Sequence, residues 1–457
     1  MVNLRDLRIA IDRVILSDLE RSDICSYLLV NCRIPICSID REFDLVPDRE
    51  GIATFDLEIQ DGAIASVIPS AIDGFTDLDR DIEKIDLQHG MILPCFVDMH
   101  THLDKGHIWN RTPNLDGTFA NALQVVVEDC DRYWNADDLY RRMEFGLKCS
   151  YAHGTKAIRT HLDCPTNQIE VSLGVFKELR GAWADRLTLQ AVSLVTLDRF
   201  MGKEGEAIAD RIAELGGVLG GVTFLHPDLD SQLDRVFILA KERHLDLDFH
   251  TDENDNPSSD TLRRVAQAAL RHEFTGRITC GHCCSLAVQD SITVNQTIAL
   301  VKEAGIGVVS LPTCNLYLQD RSRERTPRWR GVTLLHELKA MGVEVAIASD
   351  NCRDPFYSFG DHDLLQIFSM SVQIAHLDSP YDDWLQTITA TPAHLMGLGN
   401  SGQISVGLPA DLIIFKARNF SELLSRPQSD RIVLRAGKAI DATLPDYDEL
   451  DDLIFAN

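Results

Sequence analysis

The stretch "LDLDFHTDENDNPSSDTLRRVAQAALRHEFTGRITCGHCC", residues 245–284, contains one complete structural repeat. A short apolar run at 245–253 leads through a polar turn to an amphipathic stretch at 259–273, and a second apolar run follows at 278–284. A strand followed by a helix and another strand is the pattern of a parallel βα unit. The stretch therefore predicts two neighbouring parallel strands that are joined by a helix.

The same alternation extends in both directions, between about residue 93 and residue 390. The eight candidate strands are the apolar runs at 92–100, 155–163, 187–195, 216–224, 245–253, 278–284, 305–313 and 343–351. Helical stretches such as 137–152 and 230–244 lie between them. Because eight consecutive βα units close a barrel, the sequence predicts an α/β protein with a (β/α)8 TIM-type barrel.

Both flanks of the predicted barrel have short strand patterns that are separated by Asp-Gly and His-Gly turns. We expect them to form one small β-sandwich domain that is built from both chain ends. The predicted division is a helical extension at 1–24, the first part of the sandwich at 25–92, the barrel at 93–393 and the second part at 394–457.

Composition and charge limit the classes of partner. The formal net charge is −26, which disfavours binding to nucleic acid or to an anionic membrane surface. The first residues lack the apolar core of a signal peptide, and the sequence contains no run of about 18 apolar residues. The 12 cysteines have no framework spacing. We therefore expect a cytoplasmic enzyme that acts on a small molecule and binds neither nucleic acid nor membranes. The enzyme can form a homo-oligomer.

Histidines and an aspartate recur at the ends of the predicted strands, where barrel enzymes carry their working residues. His100 and His102 are two residues apart, so they share one face of the first strand. His250 ends the fifth strand, His282 the sixth and Asp350 the eighth, in step with a repeat of roughly 30–37 residues. Imidazole and carboxylate groups at one mouth suit a divalent ion such as zinc or iron(II).

The Cys280-Gly-His-Cys283 spacing leaves a second possibility open, since it is also the spacing of a dithiol redox site. A redox pair usually begins a helix in a thioredoxin-like unit, whereas Cys280 lies inside a predicted barrel strand. Such cysteines are more often core residues, which makes His282 the stronger functional candidate. A metal-free barrel that serves as a binding or scaffold subunit is a third possibility.

Four segments, "FVDMHTHLDK", "HTDE", "GHCC" and "SDNCRDPFYSFG", together resemble the amidohydrolase superfamily. Within it they are similar to the cytosine deaminase branch, which includes aminotriazine-ring hydrolases. The segment "GLPADLIIFK" resembles the returning β-sandwich strand of that superfamily. The likeness spans roughly residues 25 to 440.

The resemblance implies a mononuclear metal site and a set of catalytic residues. The implied ligands of the single Zn²⁺ or Fe²⁺ ion are His100, His102, His250 and Asp350. Glu253 matches the catalytic glutamate that moves protons, and His282 matches the histidine that orients water. Asp350 is also expected to accept a proton from that water. His161 ends the second strand, where we expect structural support rather than ligation.

Four further residues are candidates for substrate binding. Lys105 follows the first strand, and Phe356 matches the position at which the family places an aromatic side chain against the ring. Thr196 stands where cytosine deaminases have a glutamine, and Asn351 stands where they have a second acidic residue. An asparagine both donates and accepts hydrogen bonds, whereas an aspartate only accepts them. Because of these departures, the resemblance supports metal-dependent hydrolysis better than it supports cytosine as the substrate.

The sequence therefore predicts a metal-dependent hydrolase that removes an exocyclic amine from a nitrogen heterocycle. Cytosine or a close analogue is the expected substrate. An N-alkylamino-triazine of the isopropylammelide type, or another aminated ring, is the alternative within this class. A redox protein that uses Cys280 and Cys283 is the alternative from a different class.

Overall fold

The computed structural model of the protein describes residues 4–21, 26–70, 82–164, 168–381, 383–399 and 401–455. The strands are β1 (Ser26–Pro35), β2 (Ile52–Gln60), β3 (Ala63–Pro69), β4 (Glu83–Asp86), β5 (Met91–Pro94), β6 (Phe96–Thr101), β7 (Thr155–Asp163), β8 (Thr188–Leu194), β9 (Leu219–Thr223), β10 (Leu247–Thr251), β11 (Ile278–His282), β12 (Ile306–Ser310), β13 (Val345–Ile347), β14 (Leu412–Phe415), β15 (Ile432–Arg435) and β16 (Lys438–Ala439).

The α-helices cover the connections between the central strands and parts of both ends. They are α1 (Leu4–Arg21), α2 (Phe119–Tyr133), α3 (Ala136–Ala152), α4 (Ile169–Ala182), α5 (Lys203–Leu215), α6 (Leu229–Arg243), α7 (Thr261–Arg271), α8 (Ser291–Glu303), α9 (Pro312–Leu318), α10 (Leu335–Ala340), α11 (Leu364–Ala375), α12 (Ala390–Leu395), α13 (Phe420–Leu424) and α14 (Asp451–Ile454). None of the helices in the described ranges is long and apolar enough to cross a membrane.

The central strands form a TIM-type α/β fold in which all strand pairs are parallel. Strands β6 to β8 form a three-stranded sheet, and β9 to β13 form a five-stranded sheet. Isolated parallel bridges, Val192–Val218 and Thr196–Val222, connect the two sheets on one side. The bridge between Thr101 and Asp350 connects them on the other side. The described strands thus follow ring order, although their ladder is interrupted at both seams and does not form one closed sheet.

Burial on both faces explains why these strands read as apolar runs rather than as alternating ones. Every residue of β10, β11 and β12 is buried. Helices such as α7 turn an apolar face toward the strands, with Leu262 and Val265 fully buried. A strand that is covered on both faces by other elements is typical of parallel α/β sheets.

Both chain ends contribute to a second sheet, as the sequence predicts. Its order is β16-β15-β14-β5-β1-β2-β3, with β4 paired to β1. Helix α1 places Leu4, Leu7 and Ile11 in the core of this sheet. The expected β-sandwich is not confirmed, because the strands of the two ends join in this single mixed sheet. The domain boundaries remain a prediction, and residues 1–3, 22–25 and 456–457 lie outside the described part.

The run at 92–100 does not form a single strand, which corrects the sequence interpretation. Strand β5 pairs with β14 in the second sheet as far as Pro94, and β6 begins the barrel at Phe96. The Cys95 N–H still donates to the Asp411 carbonyl at 3.1 Å, whereas the next residue, Phe96, donates to the Gly154 carbonyl just before β7 at 3.1 Å. The chain therefore passes from one sheet to the other at Cys95.

Candidate active site

The candidate metal ligands lie at the carboxyl ends of the central strands. His100 lies within β6 and His102 directly after it, while His250 lies within β10. Asp350 follows β13 and is fixed against β6 by two hydrogen bonds. Its backbone N–H donates to the carbonyl of His100 at 2.8 Å, and its own carbonyl accepts from the Thr101 hydroxyl at 2.9 Å.

These four side chains point toward one another. The Nε2 atom of His102 lies 3.3 Å from Asp350 Oδ1 and 3.4 Å from His250 Nε2. The Nε2 atom of His100 lies 3.7 Å from the same aspartate oxygen. A group of His100, His102 and Asp350, with one ligand atom from each, fits within 4.8 Å. The same holds for His100, His250 and His282.

Several buried nitrogen and oxygen atoms of this cluster have no hydrogen-bond partner among the described residues. Within the described part of the chain, neither oxygen of Asp350 and neither nitrogen of His100 has a hydrogen-bond partner. A buried polar group without a partner costs about 1–3 kcal/mol. Burial also holds the pKa of His100, His102 and His250 well below the usual range, so their imidazoles are neutral. Neutral imidazoles and a carboxylate are the form that binds a divalent ion, so this donor set fits one.

Glu253 lies just beyond β10 and faces His282 across a short gap. Glu253 Oε1 lies 3.3 Å from His282 Nδ1. Asn315, the fourth residue of α9, donates its amide to Glu253 Oε1 at 3.1 Å and lies 3.0 Å from His282 Nδ1. Burial and the neighbouring charge of Asp350 raise the pKa of Glu253 well above its usual range. The carboxyl group can therefore hold and deliver a proton.

Burial shifts the pKa of both His282 and Asp350 in the direction that favours the neutral form. Burial lowers the pKa of His282 to about 3, so its imidazole is neutral and can accept a hydrogen bond. Burial raises the pKa of Asp350 to about 7. Both residues have positive φ angles, 68° and 63°. Backbone in this region is disfavoured for non-glycine residues and is often found at functional sites.

A layer of buried polar residues supports the cluster from below. The Ser349 backbone N–H donates to Asp98 Oδ1 at 3.1 Å, which fixes the residue before Asp350. The ring of His161 stacks against His100 with centroids 3.9 Å apart. Asp248 lies beside His161 and accepts a hydrogen bond from Arg159 at 2.9 Å. His161 therefore occupies a supporting position against His100, although its ring also lies close enough to contribute to a ligand group with Asp248.

A cavity of about 300 Å³ opens above these residues, a size within the range of small-molecule pockets. All four predicted substrate-binding residues, Lys105, Thr196, Asn351 and Phe356, line it. So do His102, His250, Glu253, His282 and Asp350. One wall is apolar and comes mainly from α2 and the end of β8, with Phe119, Val126, Leu194 and Val195.

Two of the predicted substrate residues are held by hydrogen bonds to carboxylates. Lys105 Nζ donates to Asp163 at 3.2 Å and lies 5.1 Å from the centroid of the Phe356 ring. The Asn351 amide donates to Asp354 Oδ2 at 2.7 Å, which leaves its oxygen facing Cys314 Sγ at 3.6 Å. The side chains of Lys105 and Asn351 are thus oriented before any ligand arrives.

The cysteines of the Cys280–Cys283 pair lie in the interior. Both are fully buried within the main hydrophobic core. The Cys283 sulfur lies 3.1 Å from the Thr251 hydroxyl, and burial raises the pKa of both thiols. Since the thiolate is the reactive form and needs access to its partner, this geometry disfavours a redox site.

Two side chains that contact the candidate site residues were not predicted from the sequence. Asn315 bridges Glu253 and His282, and Asp354 holds Asn351. Asn315 follows β12, the one strand among the last four to which no candidate was assigned. Asn315 lies within α9, five residues beyond the end of β12, so the sequence offered no signal comparable to the strand-end histidines.

Comparisons with known proteins agree with this geometry. Residues 145–440 match a sequence model described as "Amidohydrolase family". The chain is 50% identical over 411 residues to a protein named pterin deaminase from Rhizobium rhizogenes, which covers 90% of this chain and 93% of that protein. It is 27% identical over 355 residues to N-isopropylammelide isopropyl amidohydrolase from Pseudomonas sp. The match covers 73% of this chain and 82% of that protein.

A solved structure gives the same result at the level of the fold. The 5-methylcytosine deaminase from Klebsiella pneumoniae, liganded with 5-fluorocytosine, has a TM-score of 0.77 and 27% identity to this chain. The match covers 92% of this chain and 98% of that structure. With strand-end histidines and an aspartate at one mouth and matches that span most of its length, the chain belongs to the amidohydrolase family.

Proposed function

We propose that the chain removes the exocyclic amine of pterin, the 2-amino-4-oxo form of the fused pteridine ring, by hydrolysis. Its activity is that of a hydrolase of non-peptide carbon–nitrogen bonds with deaminase chemistry. The observation that carries the substrate is the 50% identity to a pterin deaminase over 90% of the chain. Cytosine, the substrate expected from the sequence, is a single pyrimidine ring with its amine at position 4, whereas pterin is a fused ring with its amine at position 2 of the pyrimidine unit.

The reaction exchanges one amine for one oxygen. Water adds to the ring carbon that bears the amine, the carbon–nitrogen bond breaks, and ammonia leaves. The product is the 2,4-dioxo ring, so pterin and water give the dioxopteridine and ammonia with no oxidant or reductant. A second ring distinguishes pterin from cytosine, and the apolar wall of Phe119, Val126 and Leu194 is suited to cover it.

We assign His100, His102, His250 and Asp350 as the residues that would hold one divalent ion. Their unpartnered buried atoms and mutual distances support this assignment. When bound, such an ion supplies Lewis acidity that makes water a nucleophile near neutral pH. Zinc and iron(II) both suit imidazole and carboxylate donors.

Glu253 carries the proton transfers in this proposal. Its raised pKa lets it donate a proton to the ring nitrogen beside the attacked carbon. It then takes the remaining proton of the added water as the new carbonyl forms and passes it to the departing amine, and the proton that Asp350 took from the water restores Glu253. Asn315 holds the carboxylate oxygen, and the neutral His282 orients the attacking water. Asp350 accepts the proton that the water loses.

The substrate ring is positioned by residues on three sides of the cavity. Phe356 covers a ring face, and Lys105 donates to an acceptor atom such as the ring carbonyl. Asn351 and Thr196 are suited to the polar edge, because each can donate and accept. These roles rest on the lining of the cavity and on the fixed orientation of Lys105 and Asn351.

Ammonia release tests the proposal. The purified chain, loaded in turn with zinc and with iron(II), is assayed for ammonia release from pterin, cytosine and 5-methylcytosine, and for isopropylamine release from N-isopropylammelide. We expect the highest kcat/KM with pterin. Release from cytosine with pterin inert would refute the substrate and leave the reaction class intact, whereas a metal-loaded chain inert toward every aminated ring would refute both.

A further inference from the structure

A second group of ligand-type side chains lies outside the cavity, formed by His107, Cys352 and His362. One atom from each fits within 4.8 Å of the others. The three residues are 5%, 2% and 2% exposed, so solvent does not satisfy their polar atoms. None of them is among the residues that line the cavity.

The histidine nitrogens of this group have no other use. Both nitrogens of His107 and both nitrogens of His362 lack a hydrogen-bond partner among the described residues. Leaving such groups buried and unpaired destabilises the folded state. Packing alone does not explain why two neighbouring imidazoles are buried with all four nitrogens unpaired among the described residues.

The surrounding backbone is shaped around these side chains. A Cβ atom at Gly146 in α3 would lie 2.9 Å from His362 Nε2, so only glycine leaves room for that ring. A Cβ atom at Gly360 would lie 3.3 Å from Cys352 Sγ, and Gly360 has a φ of +96°. Both glycines thus permit a close approach to the group.

We propose that His107, Cys352 and His362 form a second metal site, which binds a structural zinc(II)-class cation. One thiolate and two imidazoles are ligands that zinc favours, and they leave the fourth tetrahedral position to water. Binding releases the thiol proton of Cys352 to solvent and forms a metal–sulfur bond without any redox change. The chain would then hold one ion more than the single ion that the sequence predicts.

The position of the site gives the cation a structural task. His107 follows Lys105 in the loop after β6, and Cys352 follows Asn351 in the loop after β13. These loops already touch, since the His107 N–H donates to the Cys352 carbonyl at 3.2 Å and Trp109 N–H to the Arg353 carbonyl at 2.8 Å. A cation bound here would fasten the two loops that carry the candidate substrate residues. Because it binds only the folded chain, it would raise stability.

Cobalt(II) distinguishes this site from the candidate active site, since the active-site donors contain no sulfur. The metal-depleted full-length chain is titrated with cobalt(II), and absorption is followed in the near ultraviolet, where sulfur-to-cobalt charge transfer appears. We expect wild-type protein to develop this band and to take up two ions per chain. Cys352→Ala and His362→Gln should abolish or strongly reduce the band and lose one ion.

Two variants serve as controls. His250→Ala removes a candidate active-site ligand and should keep the band, as should Cys314→Ala, which removes the thiol near Asn351. Absence of the band in wild-type protein, or its persistence in folded Cys352→Ala, overturns the proposal. Loss of the band in Cys314→Ala with retention in Cys352→Ala overturns it as well. The titration of wild-type protein can refute the site by itself, so the test remains decisive even if a variant misfolds.

Discussion

The proposed mechanism depends most on Glu253. Its Oε1 atom lies 3.3 Å from His282 Nδ1 and accepts a hydrogen bond from Asn315 at 3.1 Å. Glu253→Gln keeps the size and the contact with Asn315 but cannot move a proton. We expect kcat to fall by roughly 10²- to 10⁴-fold, as is typical for loss of a general acid–base group. Metal content, measured by elemental analysis, should be unchanged, because Glu253 is not a proposed ligand.

A surface glutamate provides the matched control for that variant. Glu273 is exposed, and Glu273→Gln should leave kcat at the wild-type value. A Glu253→Gln enzyme with full metal content and near-normal kcat would remove Glu253 from the mechanism.

Asn315 is a positioning residue whose loss should weaken catalysis in a different way. Asn315→Ala removes the donor that fixes Glu253 and contacts His282. Loss of a hydrogen bond to a charged group costs about 1.5–3 kcal/mol, so we expect kcat to fall roughly 10- to 100-fold with KM little changed. Steady-state kinetics with Asn295→Ala, an exposed asparagine, as the control would test this. A rise in KM at constant kcat would instead make Asn315 a substrate-binding residue.

Residues of the candidate site differ in how far the sequence could identify them. His100, His102, His250, Glu253 and Asp350 lie in motifs whose order is specific, and the structure brings them to one mouth. Asn315 belongs to no such motif and lies within α9, five residues beyond the end of β12. Its role depends on the approach of α9 to Glu253, which is a tertiary contact that a single sequence does not reveal.

At the scale of elements, the repeat of apolar run and helix was sufficient to predict the central strands. The predicted runs at 155–163, 278–284 and 305–313 correspond to β7, β11 and β12. The run at 92–100 was misread because its apolar residues are continuous through Pro94 and Cys95. An apolar run indicates that a segment is buried but not which sheet it joins. The sequence therefore could not predict that β5 and β6 belong to different sheets.

Helix α3 is connected to the loop after β6 by a buried arginine, which gives a prediction at this scale. Arg142 is fully buried, pairs with Asp138 and donates to the Gly106 carbonyl at 3.0 Å. Removal of one partner of a buried pair costs about 3–5 kcal/mol. Arg142→Met should therefore lower the free energy of unfolding, measured by urea denaturation, by that amount.

The neighbouring arginine on the same helix is its control. Arg141 pairs with Asp452 at the surface, where their side chains are 31% and 69% exposed. Exposed pairs contribute about 0–1 kcal/mol, so Arg141→Met should change the unfolding free energy little. Equal effects of the two substitutions would show that burial of Arg142 is not what holds the loop.

The Cys280 and Cys283 pair decides between the hydrolase and the redox interpretation of β11. Both thiols are buried in the core, so we expect the double variant Cys280→Ala and Cys283→Ala to keep most of its deaminase activity. Its midpoint of thermal unfolding should fall, because small cavities replace the sulfur atoms. A folded, metal-loaded double variant without activity would return a chemical role to the thiols.

At the scale of the whole molecule, the chain joins a TIM-type fold to a sheet that is built from both ends. The strands of this second sheet come from residues 26–94 and 412–439, with β5 against β14. Turn signals and short apolar runs at both ends were enough to predict that the ends meet. They could not predict the order of the strands in this mixed sheet, because a local sequence pattern does not determine which distant strands pair.

The central claim is that water replaces the ring amine of pterin at this site. It is tested most directly by single-turnover reaction of the metal-loaded enzyme with pterin in water enriched in heavy oxygen, followed by mass spectrometry of the ring product and assay of ammonia. We expect one ammonia per dioxopteridine, with one solvent oxygen incorporated into the new carbonyl. A product without solvent oxygen, or pterin consumed without ammonia, would contradict hydrolytic deamination.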